Sequence, residues 1–274
     1  VTILIVGGDS AIAAAAIAAL HRRGTATVAT SRRPGHAAFL DLAQPPASWR
    51  LPACESCLVA AAIGTLAGCE ADPCSSRRIN VESVAAIAAR VPFTLILSTT
   101  QVFDGTTAFA TPDTPTAPRT QYGTQKAEAE RVVLAAGGAA LRVSKVLVPD
   151  LPLLRGFAAT LRAGGTVEAF ADLMLSPVTG AQVAEAAAEI LIHRRPGLHQ
   201  LSGDRDVSYA DLARRMAALL GRTPESVVET SWRGRLPEAF VQDHTTLAPT
   251  LGPAPSSLAV IDQVLTATLS LPER

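Results

Sequence analysis

The 274-residue sequence predicts an open α/β sheet, parallel throughout and wound with helices on both faces, followed by a smaller, interleaved C-terminal substrate lobe. Three observations carry this. Short apolar runs alternate with helix-like stretches across the first half. A glycine turn, Val6-Gly7-Gly8-Asp9-Ser10, joins the first apolar run to an alanine-rich helix. The hydroxyl-rich stretch Ser98-Thr99-Thr100 follows a later apolar run, at the strand end where ligands of such sheets gather.

The elements follow in order. Residues 2–6 (TILIV) read as a buried strand, and residues 11–23 as a helix closing near Gly24. Residues 25–31 form the next strand, ended by the polar turn Arg32-Arg33-Pro34-Gly35. Strands at 58–62 and 93–98 flank a helix at 80–90. A Pro/Thr-rich loop covers 106–119, a helix covers 122–136, and a strand covers 140–146. Strands alternating with helices imply parallel pairing through right-handed crossovers, a Rossmann-type arrangement. The second half is less regular, with helices at 151–163 and 181–194 and a short strand at 199–202. Ser208 and Asp211 have capping-box spacing and open a helix that ends at Gly221. Prolines and turns fill 222–256, and a last helix covers about 256–269. The expected division is 1–150 for the dinucleotide-binding domain, with helix 181–195 packing back on it, and mostly 151–274 for the smaller lobe.

Composition narrows the function. The formal net charge is zero, so no global field favours nucleic acid or an anionic membrane surface. Aromatic residues make up 4%, too few for base-stacking platforms. No apolar run reaches membrane-spanning length without a break, and the expectation is a soluble, cytoplasmic protein. Cys54-x-x-Cys57 with Cys69 and Cys74 invites a zinc reading. The second pair is spaced differently and Cys57 opens an apolar run, so reduced thiols around a core strand are expected, and no metal. A homodimer is the base-rate expectation for assembly.

The strongest chemical signal is Tyr122-Gly-Thr-Gln-Lys126. Positions i and i+4 share a helix face, which sets a phenol beside an ammonium and favours proton exchange with an alcohol or carbonyl. The alternative is a surface pair. A hydroxyl at the Ser98-Thr99 strand end can hold the oxygen that the tyrosine protonates, or cap the strand as a turn.

With these residues the chain resembles an extended short-chain dehydrogenase/reductase of the dTDP-4-dehydrorhamnose reductase branch. The likeness rests on Ser98-Thr99 with Val102-Phe103-Asp104-Gly105, Pro118, Tyr122-Gly123 with Lys126, Glu130 and Leu141-Arg142-Val143-Ser144. Ser176-Pro177 and His199-Gln200-Leu201-Ser202-Gly203 resemble later landmarks, and Arg235-Leu236-Pro237 with Asp243 echoes a substrate-lobe segment. The resemblance implies that Thr99 orients the substrate oxygen and that Tyr122 is the general acid. It implies that Lys126 lowers the tyrosine pKa and holds the nicotinamide ribose. Asn80 falls near the site, with an N-cap as its alternative. Thr100, Val102, Phe103 and Lys145 fall on the substrate side, Phe103 with a core position as its alternative. Asp41-Leu42 resembles the adenine-edge pair, and Ala60-Ala61-Ala62 the small-residue strand end along the cofactor.

The pattern also breaks. Gly7 keeps the first of three glycine positions, while Ser10 and Ala13 replace the others. The helix amides of Ala11 and Ile12 still offer a phosphate site. Asp9 near a phosphate repels it unless it turns away or caps the helix. The second strand ends in Thr30-Ser31-Arg32-Arg33 with no acid, which favours the 2′-phosphate of NADPH, with NADH as the alternative. Thr100-Gln101 stands where the branch carries Asp-Tyr, and Lys145 where it carries a bulky aromatic, which shifts the expected carbonyl substrate. The leading expectation is an NADPH-dependent reductase of a small-molecule carbonyl, a nucleotide-linked 4-keto sugar by resemblance. A sugar-nucleotide epimerase on the same fold and a non-catalytic nucleotide-binding regulatory subunit are the alternatives.

Overall fold

The computed structural model describes residues 2–33, 37–233 and 240–272. In chain order it forms β1 (Thr2–Val6), α1 (Ala11–Arg22), β2 (Ala26–Ser31), β3 (Ala38–Phe39), β4 (Ser56–Val59), α2 (Leu66–Ala71), α3 (Pro73–Arg77) and α4 (Ser83–Ala88). Then come β5 (Thr94–Thr99), α5 (Gln121–Ala135), β6 (Ala139–Val143), β7 (Val146–Leu147), α6 (Pro152–Arg162), β8 (Val167–Phe170), β9 (Met174–Leu175) and β10 (Val178–Thr179). Last are α7 (Gly180–His193), β11 (Gly197–Leu201), β12 (Val207–Ser208), α8 (Tyr209–Leu219), β13 (Val227–Thr230) and α9 (Ser257–Leu269). Pro34 and Gly35 of the basic turn, and the Arg235-Leu236-Pro237 segment, lie outside the described residues.

Two compact units divide the chain. The first comprises Val1–Asp104, Pro112–Val143 and Gly180–Leu201, and the second comprises Gly105–Thr111, Ser144–Thr179 and Ser202–Arg274.

The first unit holds a seven-stranded sheet ordered β3-β2-β1-β4-β5-β6-β11, with every neighbouring pair parallel. Strand order reverses between β1 and β4, the switch point at which such sheets open a crevice. Register aligns the carboxyl ends there: Val6 lies opposite Thr30 on one side and Val59 on the other. Ile3, Leu4, Ile5, Leu58 and Leu95 are fully buried, as uninterrupted apolar strands are when helices cover both sheet faces. Helix α7 packs along α1, joined by Arg22 and Arg23 to Glu185.

Some elements depart from the sequence reading. The strand expected at 58–62 ends at Val59, because the Ala60 and Ala61 amides both turn to the Val6 carbonyl, at 2.9 and 3.0 Å. The helix expected from residue 80 is preceded by α2, α3 and a π-helical turn, Arg78–Glu82. Those helices have six and five residues, too short to show a period, and each is fixed by a side-chain cap, Thr65 and Asp72.

The second unit packs α6, α8 and α9 around Leu154, Phe157, Leu161, Met216, Ile261 and Leu265. The capping box forms: Ser208 Oγ accepts from the Asp211 N–H and the Asp211 carboxylate accepts from the Ser208 N–H. Short strand pairs complete the unit: β7–β10 and β8–β13 are parallel and β9–β12 is antiparallel.

Candidate active site

Gly7 explains its own retention. Its φ is +84°, a left-handed backbone open chiefly to glycine, and an added Cβ would lie 2.7 Å from Ala61. The amides of Gly7 and Gly8 both donate to the Thr30 carbonyl, at 3.2 and 2.8 Å, which ties the turn to the end of β2. Ser10 is extended (φ −81°, ψ 148°), an ordinary conformation for serine, and is the N-cap of α1. Its Oγ accepts from the Ala13 N–H at 3.1 Å. Serine therefore adds a cap at the middle glycine position. The Ala11 and Ile12 amides open the helix and have no acceptor within it, so they can meet an anion. Ser10 rather than Asp9 is the N-cap of α1, and the Asp9 carboxylate pairs with Arg33.

A cleft of about 390 Å³ opens beside this turn. Gly7 and Ser10 line it from the turn, and Ser31, Arg32 and Arg33 from the end of β2. Asp41 and Leu42 line it from the segment after β3, and Ala60, Ala61 and Ala62 from the segment after β4. Ala11 and Ile12 contribute no lining atoms. Leu40, Ile63 and Ile79 also line the cleft, and the sequence reading missed them. Ile63 directly follows the alanine run, whereas Ile79 arrives from the π-helical turn, which no motif marked. The cleft, the left-handed Gly7 and the open end of α1 fit an extended, phosphate-bearing dinucleotide.

A second group of candidate residues is built on α5. Thr120 caps it, accepting from the Gly123 N–H at 3.0 Å. Gly123 is a close-approach position: a Cβ there would lie 2.2 Å from the Gln101 carbonyl oxygen. Glycine thus lets α5 seat directly on the turn after β5. In that turn Thr99 is half-buried and its Oγ1 accepts from the Gln101 N–H at 3.2 Å. A hydroxyl has one proton and two acceptor sites, so this bond leaves the Thr99 proton free to donate.

Lys126 is buried and its Nζ donates to the Leu97 carbonyl at 2.7 Å. Burial lowers its pKa to about 8, opposed by the charge of Glu130 and by Cys69. Tyr122 is half-buried, and burial raises its pKa to about 12, with Cys69 adding in the same direction. Taking the phenolate out of water is the larger of these two causes.

A buried network stands behind this face. Arg142 on β6 donates to both Glu130 oxygens, Nε at 3.0 Å and Nη2 at 2.8 Å. Ser98 Oγ donates to Glu130 at 2.5 Å. The Arg142 guanidinium also lies over the Phe103 ring, 4.8 Å from its centroid. Phe103 is therefore the core residue of its two alternatives, and Val102 is sealed from solvent. Thr100 is also buried, and Lys145 belongs to the second unit, where its carbonyl accepts from the Val178 N–H.

Asn80 is not an N-cap. It sits inside the π-helical turn, where its Oδ1 accepts from the Ile63 N–H and its Nδ2 donates to the Ile63 carbonyl and to Gln125. It anchors Ile63, which lines the cleft. Among the described residues no group of three or more His, Cys, Asp or Glu side chains could hold a metal, and the four cysteines are free thiols. No helix among them is long and apolar enough to cross a membrane.

Known proteins share this fold. The structure is similar to a dTDP-4-dehydrorhamnose reductase from Clostridium acetobutylicum, with TM-score 0.81, 17% identity, and 96% of this chain and 99% of that one covered. It is similar to the dTDP-4-dehydrorhamnose reductase of Bacillus anthracis in complex with NADP, with TM-score 0.80, 14% identity and coverage of 97% and 98%. It is also similar to MoeE5 in complex with UDP-glucose and NAD, with TM-score 0.72, 20% identity and coverage of 98% and 97%. No curated protein matches the chain in sequence. The profile of the RmlD substrate binding domain matches residues 1–239. The chain belongs to the RmlD family, within the NAD(P)-dependent oxidoreductases of the extended short-chain dehydrogenase/reductase type.

Proposed function

We propose that this protein is an NADPH-dependent reductase that converts the ketone of a nucleotide-linked 4-keto sugar to an alcohol, with Tyr122 as proton donor. One observation carries the reading. Thr99 ends β5, and Tyr122 and Lys126 lie one helical turn apart on the helix packed against that strand. In this reading the α1 amides and the glycine turn take the pyrophosphate. Ser31, Arg32 and Arg33 take the 2′-phosphate, Asp41 and Leu42 the adenine edge, and Ala60–Ala62 flank the cofactor along its length. Thr100 and Lys145 stay assigned to the substrate side.

When bound, the nicotinamide supplies a hydride to the carbonyl carbon. The chain's residues serve the oxygen. Thr99 donates its hydroxyl proton to the carbonyl and orients it. With a pKa of about 12, Tyr122 stays protonated at neutral pH and can donate as alkoxide charge develops. Lys126 keeps one proton on the Leu97 carbonyl and has two for the ribose hydroxyls. Its charge stabilises the phenolate left behind.

The test follows NADPH oxidation with a nucleotide-linked 4-keto sugar. Wild type turns over, and Tyr122→Phe loses about 100-fold or more in kcat while still binding NADPH. Absence of turnover with this substrate class, or a Tyr122→Phe variant as fast as wild type, rejects the reading.

A further inference from the structure

Arg33, which follows β2, lies within reach of an acid from a different part of the chain. Gly7 and Gly8 both donate to the Thr30 carbonyl, which draws the turn onto the carboxyl end of β2. Asp9 follows in that turn, and its Oδ2 lies 3.5 Å from Arg33 Nε. Arg33 is held from its other side, its backbone N–H donating to Ser31 Oγ at 2.9 Å. Asp9, Ser31, Arg32 and Arg33 all line the one cleft. The other carboxylate there, Asp41, accepts from the amide of Ala43 in its own loop.

We propose that Asp9 is a cofactor-selectivity residue: its carboxylate competes with the 2′-phosphate of NADPH for Arg33 and so weakens the preference for NADPH over NADH. This rests on the assignment of the cleft to a nicotinamide dinucleotide. The Arg33 side chain is 78% exposed, so its pair with Asp9 is in water and exchanges readily. A 2′-phosphate carries nearly two negative charges and can bind a guanidinium bidentately, so it takes Arg33 away from the carboxylate. NADH presents a neutral hydroxyl at that position. It loses nothing when Arg33 stays with Asp9, and it can donate a hydrogen bond to the carboxylate. Removing the charge of Asp9 therefore acts differently on the two cofactors.

The experiment is a cycle of four proteins: wild type, Asp9→Asn, Arg33→Ala and the double variant. Each is titrated with NADPH and NADH by fluorescence. Asp9→Asn tightens NADPH about fivefold and changes NADH less than about twofold. In the Arg33→Ala background the same substitution moves the NADPH-to-NADH ratio less than about twofold. Added salt narrows the gap between wild type and Asp9→Asn. A ratio unchanged by Asp9→Asn, or a shift that persists without Arg33, overturns this proposal alone. Failure of wild type to bind either nucleotide overturns the cofactor assignment together with it.

Discussion

The glycine turn and the face of α5, which the proposed function makes two halves of one site, are built by opposite means. The turn holds its shape with backbone bonds and replaceable polar side chains: Ser10 caps, and Asp9 meets an exposed arginine. The α5 face stands on ionised groups taken fully out of water, Glu130 and Arg142, with Ser98 locked to them. A region that grips a common cofactor by its backbone can change side chains and keep its grip. A region that must orient a phenol and an ammonium against one oxygen has little such freedom, because each support is buried and shared.

The difference can be broken where it is largest. Glu130→Ala leaves Arg142 charged and unpaired in the core and should destabilise the fold by about 3–5 kcal/mol in denaturant unfolding. A loss under 1 kcal/mol would show that the network is not the rigid support described. Gly123→Ala comes next. Its Cβ would overlap the Gln101 carbonyl, so α5 must back away from Thr99. We expect about 1–3 kcal/mol of destabilisation and a fall in kcat exceeding any change in NADPH affinity. Ser10→Gly, which restores the glycine, should shift stability by only a few tenths of a kcal/mol and nucleotide affinity by less than about threefold. A large effect there would mean that the turn is as constrained as the helix.

Alkaline titration sharpens the contrast further. Lys126 titrates near 8 in the folded chain, against an ordinary value of 10.5, so between these values the unfolded state binds more protons. Its contribution to stability therefore rises with pH across that window and is lost as pH falls through 8. Tyr122 acts oppositely: with a folded value of about 12 against 10.0, it makes stability fall as pH rises from 10 toward 12. Unfolding midpoints measured from pH 7 to 10 should show the rising limb in wild type and lose it in Lys126→Met.

The central strands were legible in the sequence, because β1, β5 and β6 are apolar runs and the sheet buries both faces. The cofactor cleft was legible where a strand end announces it: ten of its lining residues were readable from motif positions, while Ile79 came from a π-helical turn that leaves no periodic trace. The Tyr122–Lys126 spacing was visible, but their pKa directions were not. Those depend on burial and on Cys69, more than fifty residues earlier in the chain. The Ser98–Glu130–Arg142 network was hidden similarly. Each residue stood in the sequence as a separate landmark, and only the crossover from β5 through α5 to β6 brings them within bonding distance. Phe103 and Val102, which the resemblance put on the substrate side with a core position as the alternative for Phe103, are buried at a 3₁₀ turn that the sequence does not mark.

The outer strand β11 has a consequence for how the chain matures. It pairs with β6, Gly197 opposite Ala139, after an excursion of more than fifty residues. Helix α7, which covers α1, arrives on the same late segment. A nascent chain or fragment that stops near residue 150 therefore has every strand through β6 but leaves the β6 backbone edge unpaired and the apolar side of α1 bare. Such an edge recruits other strands. The species most prone to aggregate should be the nearly finished sheet, whose edge stays open until β11 pairs with β6.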